Sequence, residues 1–315
     1  MALTFEEKKE RKNMIGGSDI GPICGKSKYK GPRDIYLDKI TLIDEDVEEE
    51  ENIPAEIGSE LEPWLIRKYT QRTGKNVKDA PIKRHPSYDY MVARVDGLIE
   101  DGGILEVKTT CSNNYFKEWG TPGTDEIPDA YKLQCAFYAL IYNAPYVDII
   151  VGISHFSHPE IHIYRYNRHE KLEQSIVKIA KNFWENCVLK KTPPAALSAQ
   201  ETLRYNSRLQ VDGNSSAIAS PEILSVYTEL LNLIEKEKEI SVLVDEKKAI
   251  LAEFISSKEI LIDTIGQILI TYKNTSRKTF DSKKFKSDHP DLYENFIKTT
   301  QSRTFRVAKG NNDEC

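Results

Sequence analysis

Long apolar runs are missing from this chain: none approaches the ~18–20 residues that a membrane-spanning helix needs, and the mean hydropathy is -0.51. Cysteine is scarce and unpatterned. Five cysteines (Cys24, Cys111, Cys135, Cys187 and Cys315) are widely spaced, odd in number and form no C-x-x-C pair. This argues against a disulfide framework, a zinc knuckle and an iron–sulfur cluster, and favours a reducing cytosol. A surplus of positive charge is also missing, since 44 Lys and Arg against 49 Asp and Glu leave a net charge of -5. The whole-chain charge therefore does not mark a nucleic-acid binder. No internal repeat is present, and the N-terminal MALTFEEKKERKNM, with charges on both sides of a short apolar patch, is not a signal peptide.

What is present is a core-forming composition with unevenly placed charge. The 315 residues are 39% hydrophobic and 30% charged, enough for one large domain or a domain with an extension. Residues 44–62 hold ten acids and no base, whereas residues 273–309 hold ten Lys or Arg against four acids. Solvated surface and a binding function both remain open for such blocks.

Residues 1–194 are expected to form an α/β unit. A basic N-terminal stretch leads to the turn Gly16-Gly17-Ser18-Asp19, where Ser18 is placed to cap a short helix through Cys24. Helices are predicted over Pro32–Ile40 and Glu56–Thr73, the second stopped by Gly74, with Pro63 placed in its first turn or at a kink and an exposed acidic loop at Asp44–Glu51 between them. Strands at Tyr90–Ile99 and Ile104–Thr110, joined by Asp101-Gly102-Gly103, predict an antiparallel hairpin. A helix over Ala130–Tyr142, a strand pair at Val147–Ser154 and Glu160–Tyr166, and a helix over Glu170–Leu189 complete the unit. Residues 195–220 suit a linker. In 221–315, a helix or helical hairpin from Glu222, with Leu224, Tyr227, Leu231 and Ile234 at helical spacing, precedes a strand at Ile268–Tyr272, a short helix at Lys283–Phe296 and a strand at Thr304–Val307.

The hairpin carries the chemistry. Glu106 and Lys108 lie two residues apart on one strand and so share a face, and Asp96 can converge on them from the other strand. Carboxylates held together repel unless a cation bridges them, and oxygen ligands suit Mg²⁺, with Mn²⁺ as a substitute, better than zinc. Such a site activates water and neutralises charge on a phosphodiester, with Lys108 able to stabilise the transition state. Glu62 on the preceding helix adds a further carboxylate, and Tyr131 and Gln134, one turn apart, can position water or phosphate. A D-x₉-E-x-K string alone is a weak signal, because strand-edge charges are usually solvated.

The chain resembles the lambda-exonuclease-like nucleases, or YqaJ-type viral recombinases, of the restriction-endonuclease-like superfamily. The resemblance spans about residues 9–195. It is carried by Ile15-Gly16-Gly17-Ser18-Asp19-Ile20, Gly58-x-Glu60-Leu61-Glu62-Pro63, Asp96-Gly97, Leu105-Glu106-Val107-Lys108-Thr109-Thr110, Tyr131-x-x-Gln134, and Phe183-Trp184 followed by Pro193-Pro194, in the family's order and approximate spacing. It implies a restriction-endonuclease-like core, a central mixed sheet flanked by helices, with a mainly helical α+β module after it. The implied activity is Mg²⁺-dependent degradation of duplex DNA from a 5′ end, leaving 3′ single strands for annealing-type recombination. Asp96, Glu106 and the Val107 carbonyl then match the metal ligands, with Glu62 as the helical glutamate, Lys108 as the catalytic lysine and Gln134 as the motif glutamine. Ser18 and Arg11 match positions that grip a terminal 5′-phosphate. A single-strand annealing protein as partner, a homotrimer, and a phage or prophage origin with action in the bacterial cytoplasm are further implications. The acidic run before Glu62 and everything after about residue 195 depart from the family's shorter members.

Other readings stay beside this one. A structure- or site-specific endonuclease on the same fold would use the same metal site, and a non-catalytic DNA-binding scaffold would not use it. His155, His158 and His162 are poorly spaced for zinc, the tryptophans read as core, with Trp119 open to a role in its loop, and Cys24, Cys111, Cys135 and Cys187 read as buried or half-buried thiols. Lys283, Lys284, Lys286, Arg303 and Arg306 suit phosphate or partner contact. Phe280, Phe285, Tyr293 and Phe296 suffice for a small core of their own.

Overall fold

The computed structural model describes residues 5–41, 52–154, 158–209, 215–297 and 303–308. The acidic loop at Asp44–Glu51 and His155 lie outside these residues. The chain divides into two compact units, residues 1–209 with 302–315, and residues 210–301.

The first unit is built on a five-stranded mixed sheet. Its strands are β2 (Val77–Lys78), β5 (Gly97–Ile99), β6 (Ile104–Cys111), β7 (Tyr146–Ser154) and β8 (Glu160–Asn167), in the order β2-β5-β6-β7-β8. Only β6 and β7 run parallel. Parallel neighbours need a crossover, which is supplied by α5 (Ser112–Glu118) and α6 (Asp129–Tyr142). A second sheet, β1-β4-β3, joins Ile15–Gly16, Tyr88–Ala93 and Lys83–His85.

Alternation along the strands assigns the two faces of the large sheet. Ile104 on β6 and Val147, Ile149, Val151 and Ile153 on β7 face a core shared with Phe137 of α6 and Ile176 of α7 (Glu170–Asn182). Leu105 and Ile150 face the other way, onto Leu65 and Tyr69 of α4 (Ile53–Thr73). Glu106 and Lys108 follow the parity of Ile104 and so turn towards α6. The expected α/β core with a central mixed sheet between helices is what forms.

Several local expectations are corrected. The stretch Tyr90–Ile99 is not one strand: β4 ends at Ala93 in the small sheet and β5 starts at Gly97 in the large one. The turn to β6 does form, with Gly102 at φ +94°. Ser18 is not the cap of α2 (Gly17–Ile23), because Gly16 holds that position and its N–H is satisfied by Asp19. Pro63 sits in the interior of α4, where it removes the N–H that would reach the Ser59 carbonyl. The last helix of the predicted unit widens into a π-helix at Phe183–Val188. Trp119 and Trp184 are core residues, but Trp64 is exposed under Lys68, and Cys111 is exposed rather than buried.

Residues 195–220 contain a packed helix, α8 (Ala199–Ser207). Its buried Glu201 accepts from the N–H groups of Arg33 and Leu197, and Arg204 pairs with buried Asp34 of α3 (Pro32–Ile40) at 2.9 Å. The second unit holds one long helix, α9 (Pro221–Ile255), a hairpin of β9 (Ile260–Ile262) and β10 (Ile268–Thr271), and two short helices, α10 (Ser282–Asp288) and α11 (Pro290–Asn295). A single helix over 283–296 is broken at Pro290. The aromatic mini-core does not form: Phe280 touches Phe285, yet Phe280 and Phe296 are 72% and 81% exposed. Residues 304–307 belong to the first unit and form no strand.

One buried network ties α4 to the sheet. Asp148 accepts two bonds from Arg165, at 2.6 and 2.7 Å, and one from Tyr69 at 2.6 Å. Removing the guanidinium leaves a buried carboxylate without its cation, so Arg165→Ala is expected to cost roughly 3–5 kcal/mol. Tyr69→Phe, which removes one bond, should cost about 1–2 kcal/mol. Urea unfolding followed by circular dichroism checks both, and equal losses would contradict the assignment.

Candidate active site

The break between β4 and β5 places Asp96. Leaving the small sheet, the chain turns its carboxylate towards β6, beyond the point where β5 stops pairing, and Asp96 Oδ2 accepts the Val107 N–H at 2.7 Å. A strand residue sends its N–H and C=O to the same edge, so the Val107 carbonyl opens on the Asp96 side, where no strand among the described residues takes it up.

Glu106 is the centre of the site. It is buried against α6, and its Oε1 accepts from Lys108 Nζ at 2.5 Å and from Gln134 Nε2 at 2.8 Å. Gln134 also donates to the Tyr138 hydroxyl at 2.9 Å. Lys108 lies over the Tyr131 ring, 5.0 Å from its centroid. Glu106 Oε2, in contrast, is buried with no hydrogen-bond partner among the described residues. An orphaned buried carboxylate oxygen is costly, and an oxygen kept free beside a second carboxylate is what a hard cation requires.

Electrostatics agree with that reading. Burial pushes the Glu106 carboxyl up to about 8; Lys108 opposes the shift, and Asp96 and Glu62 add to it. Burial likewise raises Asp96, and burial with the Asp96 charge raises half-buried Glu62. Burial works against the charge on Lys108, but Glu106 and Asp96 outweigh it and raise its pKa. The three carboxylates feel one another, yet among the described residues no group of three acidic, His or Cys side chains is tight enough to hold an ion by itself. Mg²⁺ commonly takes one or two carboxylates and keeps several waters, so Asp96, Glu106 and the Val107 carbonyl fit it, with Glu62 within electrostatic reach.

A basic cavity opens beside this hairpin. Arg11, Lys12, Lys30, Lys39 and Lys108 line a space of about 920 Å³ together with Ser18, Tyr131 and Gln134, and with Asp19 and Asp38, which pair with Lys39 and Lys30. Arg11 Nη2 lies 3.4 Å from Ser18 Oγ. Pairing of β1 with β4 brings the Gly16-Gly17 turn here, and Gly17 is required for close approach: a Cβ would lie 2.3 Å from the Tyr138 ring. Sequence reasoning missed Tyr138, although it is one turn from Gln134 on the same face. It also missed the buried Lys39–Asp19 pair at 2.8 Å, whose lysine also donates to the Arg11 carbonyl and fixes α1 (Phe5–Lys12) to α3. His162 pairs with Glu160 and stacks on Tyr115, away from any metal group.

The YqaJ-like viral recombinase domain matches residues 8–144 of the chain. The YqaJ protein of Bacillus subtilis (strain 168) is 32% identical over 314 residues, covering 95% of this chain and 92% of that protein. Among solved structures, the chain is similar to an alkaline exonuclease from Laribacter hongkongensis, with 21% identity, 60% of this chain and 94% of that one covered, and a TM-score of 0.47. A phage-related exonuclease from Haemophilus somnus 129PT matches with 14% identity, 56% of this chain and 96% of that one, and a TM-score of 0.40.

A cation at Glu106 must displace a proton whenever the pH lies below about 8. Mg²⁺ affinity measured by calorimetry should therefore rise up to about tenfold per pH unit below that value and level off above it. Glu106→Gln should abolish binding while leaving the far-UV circular dichroism unchanged. A pH-independent affinity would contradict the site.

Proposed function

From its membership of the YqaJ-like viral recombinase family, to which this chain belongs, we propose that it is a Mg²⁺-dependent deoxyribonuclease that degrades duplex DNA from a 5′ end and leaves 3′ single strands. The observation that carries the catalytic reading is the divided Glu106 carboxylate, one oxygen fixed by Lys108 and Gln134 and the other buried and unpaired.

Each residue has a distinct part in this reading. Asp96, Glu106 and the Val107 carbonyl would hold the cation, with Glu62 as an outer carboxylate. When bound, Mg²⁺ supplies an acidified water and neutralises charge on the phosphodiester. Lys108, kept protonated by its acidic neighbours and backed by Tyr131, faces the cavity and stabilises negative charge developing on the phosphate. Gln134 is a positioning residue: it fixes the Glu106 rotamer and is itself aligned with Tyr138. Arg11 and Ser18, exposed in the same cavity, grip the terminal 5′-phosphate, for which a guanidinium and a hydroxyl are suitable donors. Delivery of the 3′ strand to a single-strand annealing protein follows from the same reading.

Degradation of linear duplex bearing a 5′-phosphate, with covalently closed circles left intact, is the expected outcome in Mg²⁺. Lys108→Ala should lower the rate by at least about a hundredfold, and Ser18→Ala should reduce the preference for 5′-phosphate over 5′-hydroxyl ends. Nicking of circles would replace this reading with an endonuclease, and tight binding without cleavage would replace it with a scaffold.

A further inference from the structure

Helix α9 is 35 residues long, and Ile255 is the one residue in it that the described structure buries. Helices in proteins draw most of their stability from packing an apolar face, so a helix of this length, largely exposed except near its C-terminal end at Ile255, calls for a partner. Its composition specifies what kind. From Leu230 onward, a heptad series places Leu230, Leu233, Ile240, Val244, Leu251 and Phe254 at the a and d positions. Most of this seam faces solvent, with Leu233 62%, Ile240 59% and Phe254 75% exposed.

Two positions break the series: Glu237 at a and Lys247 at d. They carry opposite charges and are symmetrically placed about Val242. Neighbouring Lys238 and Lys248 pair with Glu235 and Asp245 on the helix surface, whereas no salt bridge is seen for Glu237 or Lys247 among the described residues. In a parallel pairing of two copies, Glu237 would face Glu237 and Lys247 would face Lys247, both inside an apolar seam. An antiparallel pairing about Val242 changes this completely. Leu230 then faces Phe254 of the second copy, Leu233 faces Leu251, Ile240 faces Val244, and each Glu237 faces a Lys247. Every a position meets a d position, and both polar interruptions become ion pairs.

We propose that α9 is a self-association surface whose occupant is the α9 of a second copy of this chain, in an antiparallel two-stranded coiled coil registered by two Glu237–Lys247 pairs. Polar residues at core positions fix register and orientation in coiled coils, and here they select antiparallel over parallel pairing. This interface lies in the second unit and does not rest on the nuclease reading.

Sedimentation velocity on the full chain tests it. The wild type should contain an even number of chains at micromolar concentration, six where the nuclease unit also forms the trimer that the resemblance implies. Glu237→Lys should weaken association by about tenfold or more, as should Lys247→Glu, since each sets like charges against each other within the seam. The double swap Glu237→Lys with Lys247→Glu should restore wild-type association, a rescue that a merely structural role for either side chain would not produce. A monomeric or odd-numbered wild type would overturn the proposal, as would single variants that associate normally or a double swap that fails to recover. The last outcome would point to a parallel pairing or to a different protein on this face.

Discussion

The site depends on the unequal treatment of the two oxygens of Glu106. One accepts from a lysine two residues along the same strand and from a glutamine on the crossover helix; the other is buried and, among the described residues, accepts no hydrogen bond. Holding such a group out of water raises its pKa and disfavours its charge. A protein that merely needed stability would be served better by an apolar residue at this position. The arrangement is understandable if the free oxygen is reserved for a cation, and the neighbouring features follow from that. Asp96 must leave its sheet to reach the same point, and β5 must stop early enough to leave the β6 edge open. Gln134 must lie one turn from Tyr138, which Gly17 allows to sit close against the Gly16-Gly17 turn.

The fold supplies these demands economically. Alternation on β6 sends Glu106 and Lys108 to the α6 side and Leu105 to the α4 side, so the same strand builds the core and the site. The small sheet has a second role, because its parallel β1–β4 pair carries Ser18 and Arg11 to the cavity that Lys108 lines. The hairpin carrying Asp96 and Glu106 and the cavity lined by Arg11, Lys12 and Lys30 are thus adjacent. The net charge of -5 conceals this division, because it averages over surfaces with opposite tasks.

Periodicity and turn chemistry made much of this legible in advance. The shared face of Glu106 and Lys108, the Gly102 turn and the helix carrying Gln134 follow local rules, whereas the mixed sheet was implied by the family resemblance alone. What sequence alone missed depends on contacts distant along the chain. The break before Asp96 is invisible because Val92 and Val95 read as one continuous apolar strand. Ser18 looked like a cap because its type suits that position, but the N3 carboxylate of Asp19 and the glycine before the helix took over the task. The Lys39–Asp19 and Arg204–Asp34 pairs join residues far apart in sequence, so α8 was read as part of a polar connection. In the second unit, aromatic content suggested a core that does not form, whereas the heptad seam of α9 was present in the sequence but overlooked beside its more evident Leu224–Ile234 stripe.

The central claim, that Glu106 Oε2 and Asp96 are reserved for a divalent ion, is tested most directly by locating the ion. A crystal grown with millimolar Mn²⁺ and measured at the manganese absorption edge should show one anomalous peak bridging Glu106 and Asp96 and contacting the Val107 carbonyl. An empty position there, with Glu106 still bonded only to Lys108 and Gln134, would contradict the account.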